Sequence, residues 1–151
     1  MDKRTLLTVL SGMLPMLSAS FTALAADDPA ATVIALERAA LDRWGNGDPM
    51  GFVEIAAPTI TYFDPMLERR VDGRAAFARY MDGIKGKVHL DRYELLNPTV
   101  ELAGNLAVLS FNYVSHQGAA SSRWNSTEVY HHDPEGWRLL HSHWSQTTPG
   151  R

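Results

Sequence analysis

Trp124-Asn125-Ser126-Thr127-Glu128-Val129-Tyr130-His131-His132-Asp133-Pro134-Glu135-Gly136-Trp137-Arg138-Leu139-Leu140-His141-Ser142-His143-Trp144-Ser145 holds three of the four tryptophans and four of the six histidines of the chain. Its halves are rich in β-branched and aromatic residues, and Asp133-Pro134-Glu135-Gly136 between them is turn chemistry. The stretch therefore reads as a long β-hairpin. A carboxylate and several histidines stand at interior-looking positions among the aromatic groups. A sheet that only separates a dry core from water rarely uses such residues there, so the hairpin reads as one wall of a concave pocket.

Two registers are open. A three-residue loop at Asp133-Pro134-Glu135 sets Trp124 opposite Trp144 and Glu128 opposite Leu140, whereas a one-residue slip sets Glu128 opposite His141. In the first, His141 and His143 share a face with Asn125 and Thr127, beside Ser110 and Asn112 of the preceding strand. No carboxylate is delivered there, so the histidine pair is not read as a metal site, and no cofactor is expected. Val129, Trp137 and Leu139 are expected on that same face, a mixture suited to a symmetric contact between copies.

Upstream of the hairpin the hydrophobic period changes. Asp27 or Asp28 can cap a helix with Pro29 in its first turn. Val33, Leu36, Ala40, Leu41 and Trp44 form its apolar stripe, with Glu37, Arg38, Asp42 and Arg43 at the wetter positions. Gly45-Asn46-Gly47 ends it. A short helix from Asp48-Pro49 to about Ala57 presents Phe52, Val53 and Ile55, and a strand Thr59–Phe63 stops at Asp64-Pro65. Val71-Asp72-Gly73 leads into a third helix, Asp72 its candidate cap, with Phe77, Tyr80, Met81 and Ile84 at helical spacing. From Lys87 the period falls to 2. Val88–Leu102 is a strand interrupted by Asn97-Pro98, which demands a bulge or an edge. Asn105–His116 follows, with Leu109, Phe111 and Tyr113 on one face and Ser110 and Asn112 on the other. Helices first, then a run of antiparallel strands, is an α+β order.

Residues 1–25 read as a secretory signal peptide: Lys3 and Arg4, a mostly apolar Leu6–Leu17, and Ala23-Leu24-Ala25 as cleavage site. The apolar run is about a dozen residues and too short to span a bilayer. One domain over residues 26–151, in the periplasm or secreted and off the membrane after cleavage, is expected. The formal charge is −3, with no basic stripe, which argues against nucleic acid as a partner. The chain has no cysteine, so thiol nucleophiles, thiolate metal sites and disulfides are excluded.

Asn46-Gly47-Asp48, Thr61-Tyr62-Phe63-Asp64-Pro65, Val71-Asp72-Gly73, Leu96-Asn97-Pro98, Gly104 and Gly136–Ser145 occur in the order that marks a known family. The chain resembles the association (hub) domain of calcium/calmodulin-dependent protein kinase. That domain belongs to the NTF2-like folds, with the SnoaL-like polyketide cyclases and ketosteroid isomerases. The resemblance implies an α+β cone, a strongly curved antiparallel sheet whose N-terminal helices close a pocket, and the first hairpin register. It also implies self-association, as a homodimer or higher homo-oligomer. The hub pocket is lined by basic residues on three strands, and the matching positions here are Tyr113, Glu128 and Trp144, so the charge preference does not carry over. No glycine-rich phosphate loop or His-Arg-Asp loop is present, and kinase activity is not expected.

Phe52, Tyr62, Phe77, Tyr113, Trp124, Glu128 and Trp144 are the expected ligand-binding set, for a small, partly apolar molecule. Glu128 among aromatic groups would resist ionisation and could transfer a proton near neutral pH, with Asp64 as a second acid at the mouth. An enzyme of the cyclase, isomerase or dehydratase kind would use Glu128 or Asp64 so, with Tyr113 or Tyr62 donating to a developing oxyanion. The plainer alternative pairs Glu128 with Arg92 or Arg123 and leaves Asp64 capping the turn before Pro65.

Overall fold

The structure, a computed structural model, describes residues 28–147; the expected signal peptide and its cleavage site lie outside the described residues. Asp28 opens helix α1 (Pro29–Gly45) by accepting the Ala30 N–H at 3.0 Å, with Pro29 in the first turn. Val33, Ala40 and Leu41 are buried as their spacing requires. Glu37 is not at a wetter position: it is fully buried. It stands four residues from both Val33 and Leu41, so the helical repeat carries it into the interior with them.

Gly47 has φ +83, and a Cβ there would lie 2.9 Å from the His89 ring. Its carbonyl accepts the Gly86 N–H at 2.8 Å, and Gly45 accepts that of Leu90 at 2.9 Å, which pins the loop after the third helix to the end of α1. Helix α2 (Met50–Ile55) runs straight into strand β1 (Ala56–Phe63), so the helix is shorter and the strand longer than expected. Val71–Asp72 forms a short strand, β2, antiparallel to β1. Asp72 does not cap the third helix. It is a strand residue held by Arg70 at 2.6 Å, and Gly73, at φ +81, occupies the cap position with its N–H on the Ile60 carbonyl at 2.7 Å. Helix α3 (Arg74–Asp82) then buries Phe77 and Met81.

Strands β3 (Arg92–Ala103), β4 (Leu106–Gln117), β5 (Ala120–Asp133) and β6 (Gly136–Gln146) complete one open, six-stranded sheet in the order β2-β1-β6-β5-β4-β3. All pairings are antiparallel except β1 with β6, so the sheet is mixed. Helix α1 packs on β3 and β4, α2 on β6 and α3 on β1, and the architecture is α+β. Strand β3 is both an edge and bulged: its register shifts between Leu96 and Thr99, with Asn97 at φ +51, which accommodates Pro98. On β4 the alternation is as read, with Leu109, Phe111 and Tyr113 buried and Ser110 and Asn112 exposed.

The hairpin register differs from the expected one. Asp133 pairs with Gly136, leaving a two-residue turn, and the pairing continues to Tyr130 with Leu139. Leu140 is then skipped, and Val129 pairs with His141. Beyond that bulge Trp124 faces Gln146, Trp144 faces Ser126, and Glu128 faces Ser142 rather than Leu140. The net slip is two residues, an even number, so Glu128 and Trp144 stay on the inner face with Tyr113. On the turn side of the bulge the parity reverses. Leu139 is fully buried against the core and Trp137 packs against the core as well, so neither joins the outer face with His141 and His143.

Candidate functional site

Helices and sheet enclose a cavity of about 550 Å³. Phe52, Tyr62, Phe77, Tyr113, Trp124 and Trp144 all line it, brought together from two helices and four strands. Trp144 stands edge-on to Phe111 and Tyr113, at 5.5 and 5.4 Å between ring centres, so the β4 and β6 aromatics brace one another. The pinned loop after α3 supplies Ile84, Val88 and Leu90 to another wall.

Asp64 lies on the cavity, and its two oxygens have different tasks. Oδ1 accepts the Met66 N–H at 2.7 Å and so caps the turn at Pro65. Oδ2 accepts the phenols of Tyr62 at 2.9 Å and Tyr80 at 2.6 Å. Turn cap and pocket acid are thus the same group. Burial, reinforced by the Asp64 carboxylate, holds both phenols above the usual tyrosine range. The single O–H of Tyr62 is committed to Asp64, which removes it as the oxyanion donor the sequence suggested.

Glu128 is fully buried beneath the cavity rather than on its surface. Its Oε1 accepts from Ser126 at 2.7 Å and from Ser142 at 3.1 Å, and Ser142 does line the cavity. Neither expected arginine reaches it: Arg92 pairs with Glu94 at 2.7 Å, and Arg123 is exposed. Burial, then the nearby Glu37, raises the Glu128 carboxyl well above its ordinary range, against the opposing pull of Ser126, Ser142 and Trp144.

Glu37 is the residue that sequence reasoning missed. Its Oε2 accepts the Tyr130 phenol at 2.6 Å, and burial raises it to about 7 against that hydrogen bond. Its position in a Val33–Glu37–Leu41 row was the available signal. Two buried carboxyls that feel one another resist losing both protons. Three buried oxygens nearby have no partner: Glu37 Oε1, Glu128 Oε2 and the hydroxyl of Tyr113. Leaving a buried polar atom unpartnered costs about 1–3 kcal/mol, and such atoms cluster where a protein does something besides fold.

On the outer face Thr61 Oγ1 lies 2.7 Å from His141 Nδ1, and the Phe63 ring packs against His143 at 5.6 Å. Asn112 donates to Asn125 Oδ1 at 2.8 Å. Among the described residues no three histidine, aspartate or glutamate side chains are arranged to hold a metal ion.

Residues 30–148 match the family model of the calcium/calmodulin-dependent protein kinase II association domain. A crystal structure from Parabacteroides distasonis, provisionally named a ketosteroid isomerase, is 33% identical and covers 82% of this chain and 91% of its own, with TM-score 0.74. The S. rosetta CaMKII hub is 22% identical, covering 82% and 100%, with TM-score 0.68. An NTF2-like protein of Streptomyces avermitilis, provisionally named a dehydratase, is 18% identical, covering 80% and 96%, with TM-score 0.65. The last two speak to the fold alone. No curated protein sequence matches the chain.

Proposed function

The chain belongs to the calcium/calmodulin-dependent protein kinase II association-domain family, with an NTF2-like fold, and we propose that it self-associates and holds a small, partly apolar molecule in its cone. The cavity carries the reading. Its volume of about 550 Å³ lies within the range of small-molecule sites, and such sites pair apolar walls with a few polar groups, as here. The hub relatives support self-association, as does an outer face that sets Val108 and Val129 among Ser110, Thr127 and His143. Native mass spectrometry of the purified protein tests both parts, with oligomers carrying a retained small molecule as the supporting result. Bare monomers alone would remove the reading.

An acid–base enzyme of the isomerase or dehydratase kind is the second reading. It is favoured by the Glu128 carboxyl, whose proton affinity burial raises, and by the Tyr113 hydroxyl, which has no partner in the protein. Hydrogen–deuterium exchange alpha to a ketone, followed by NMR with wild type and Glu128→Gln, tests it. Equal exchange by the two proteins excludes Glu128 as the base. Export, supported by the composition of residues 1–25, completes the proposal, and an N-terminus at Ala26 in envelope-derived protein is its test.

A further inference from the structure

We propose that the pocket selects an organic ammonium ion, a cationic amine on an apolar body held between aromatic walls and acidic groups. This rests on the ligand-holding reading above and narrows it to a class. The sign of the site is the first argument. Among the described residues lining the cavity there is no lysine, arginine or histidine, and Asp64 is the one charged group. Arg43, Arg92 and Arg138 are engaged elsewhere, with Asp48 and Glu54, Glu94 and Glu135 respectively. A carboxylate ligand would meet no counter-charge there and would face Asp64 at the mouth and two carboxyls under the floor.

Unserved acceptors are the second argument. Glu37 Oε1 and Glu128 Oε2 lack donors, and the Tyr113 hydroxyl is likewise buried without a partner behind the cavity wall. An ammonium brings N–H donors and positive charge together: Ser142, on the cavity wall, can accept from it while donating to Glu128 Oε1, and the charge acts on the buried carboxyls behind that wall. A neutral ligand brings no positive charge to set against these carboxyls. The third argument is the wall itself: Trp44, Trp124 and Trp144 line the cavity with Tyr62 and Tyr113, and a cation is attracted to the face of such rings, most strongly to tryptophan.

A proton linkage follows. The groups facing the two carboxyls are Tyr62 on β1, Tyr113 on β4, Ser126 and Tyr130 on β5, and Ser142 and Trp144 on β6; at the mouth Tyr80 on α3 faces Asp64. None of these is a cation. Burial keeps the Glu37 and Glu128 carboxyls protonated more than usual, so a bound ammonium draws a proton from that pair. Binding of the cation therefore tightens as pH rises from 6 towards 8, while the amine itself stays charged.

Isothermal titration of the purified protein with 1-naphthylmethylamine, 1-naphthalenemethanol and 1-naphthoate, which share one ring system, tests the inference. The amine binds about tenfold or more tighter than the alcohol, the carboxylate binds weakest, and only the amine releases protons, seen as a buffer-dependent heat. Glu128→Gln and Asp64→Asn each reduce the amine-to-alcohol ratio by about threefold or more. Asp64→Asn keeps an oxygen for the turn cap, so it serves if Glu128→Gln fails to fold. Alcohol or carboxylate binding as tightly as the amine overturns the inference and leaves the ligand-holding reading standing. Binding by none of the three removes both.

Discussion

The Tyr130 phenol donates to Glu37 Oε2 at 2.6 Å, joining strand β5 to helix α1 across 93 residues of sequence in a fully buried contact. It gives one of the two buried carboxyls its single protein hydrogen bond. Tyr130→Phe strands Glu37 entirely and should destabilise the protein by about 1–3 kcal/mol, read by urea unfolding. Replacing both partners, Tyr130→Phe with Glu37→Leu, should recover most of the loss, because an apolar pair leaves nothing unsatisfied. A double variant as unstable as the single one would show that the contact matters for packing alone.

Stability should fall as pH rises through the range set by Glu37. Its ordinary value near 4.5 becomes about 7 in the folded protein. The native state therefore holds the proton more tightly, and its contribution is fully present below about 4.5, is lost as pH climbs towards 7, and is level above. That shift corresponds to on the order of 3 kcal/mol. His141, held below its ordinary 6.5 chiefly by burial, acts in the opposite sense below that pH but is only partly buried. Thermal melts between pH 5 and 8 should show a steeper decline for wild type than for Glu37→Gln, and parallel profiles would refute the assignment.

Tyr113→Phe and Tyr62→Phe should part company. The Tyr113 hydroxyl is buried without a partner, so its removal should leave stability unchanged or raise it by up to about 1 kcal/mol. Tyr62 donates to Asp64 at 2.9 Å, and losing that bond should cost about 1 kcal/mol. Ligand affinity should move the other way, falling more for Tyr113→Phe. Chemical denaturation and titration on the same two variants check both halves.

Deletion of Leu140 should be tolerated. With the skipped residue gone, Tyr130 still faces Leu139, Val129 still faces His141 and Glu128 still faces Ser142, so Ser142 and Trp144 stay inward. The deletion variant should give a dispersed amide NMR spectrum, and a collapsed one would refute the assigned bulge.

Thr127 and His143 are cross-strand neighbours exposed on the outer face. If copies meet through this face, Thr127→Arg places two charges against each other across a symmetric contact and should shift the assembly towards monomer in size-exclusion chromatography, with an unchanged circular dichroism spectrum. Unaltered assembly would place the contact elsewhere.

What could be read without coordinates was local. The Asp28 cap, the Val33–Leu41 stripe, the Leu109-Phe111-Tyr113 alternation and the long hairpin each depend on spacings of a few residues, where helical and strand periods dictate side-chain direction. Family motifs spread along the chain then pointed to the cone. The Leu140 bulge was hidden because a longer turn and a shorter turn plus one skipped residue use the same letters. Burial of Glu37 was hidden because a helix stripe has an edge, and where α1 lies on the sheet decides which side of that edge is wet. Likewise Asp64 announced itself as a turn cap, but its two phenols come from β1 and α3 and meet it only when those elements pack. Local periodicity assigns each side chain a direction; the contacts it makes there, and so its charge state, follow from residues far away in the chain that fold against it.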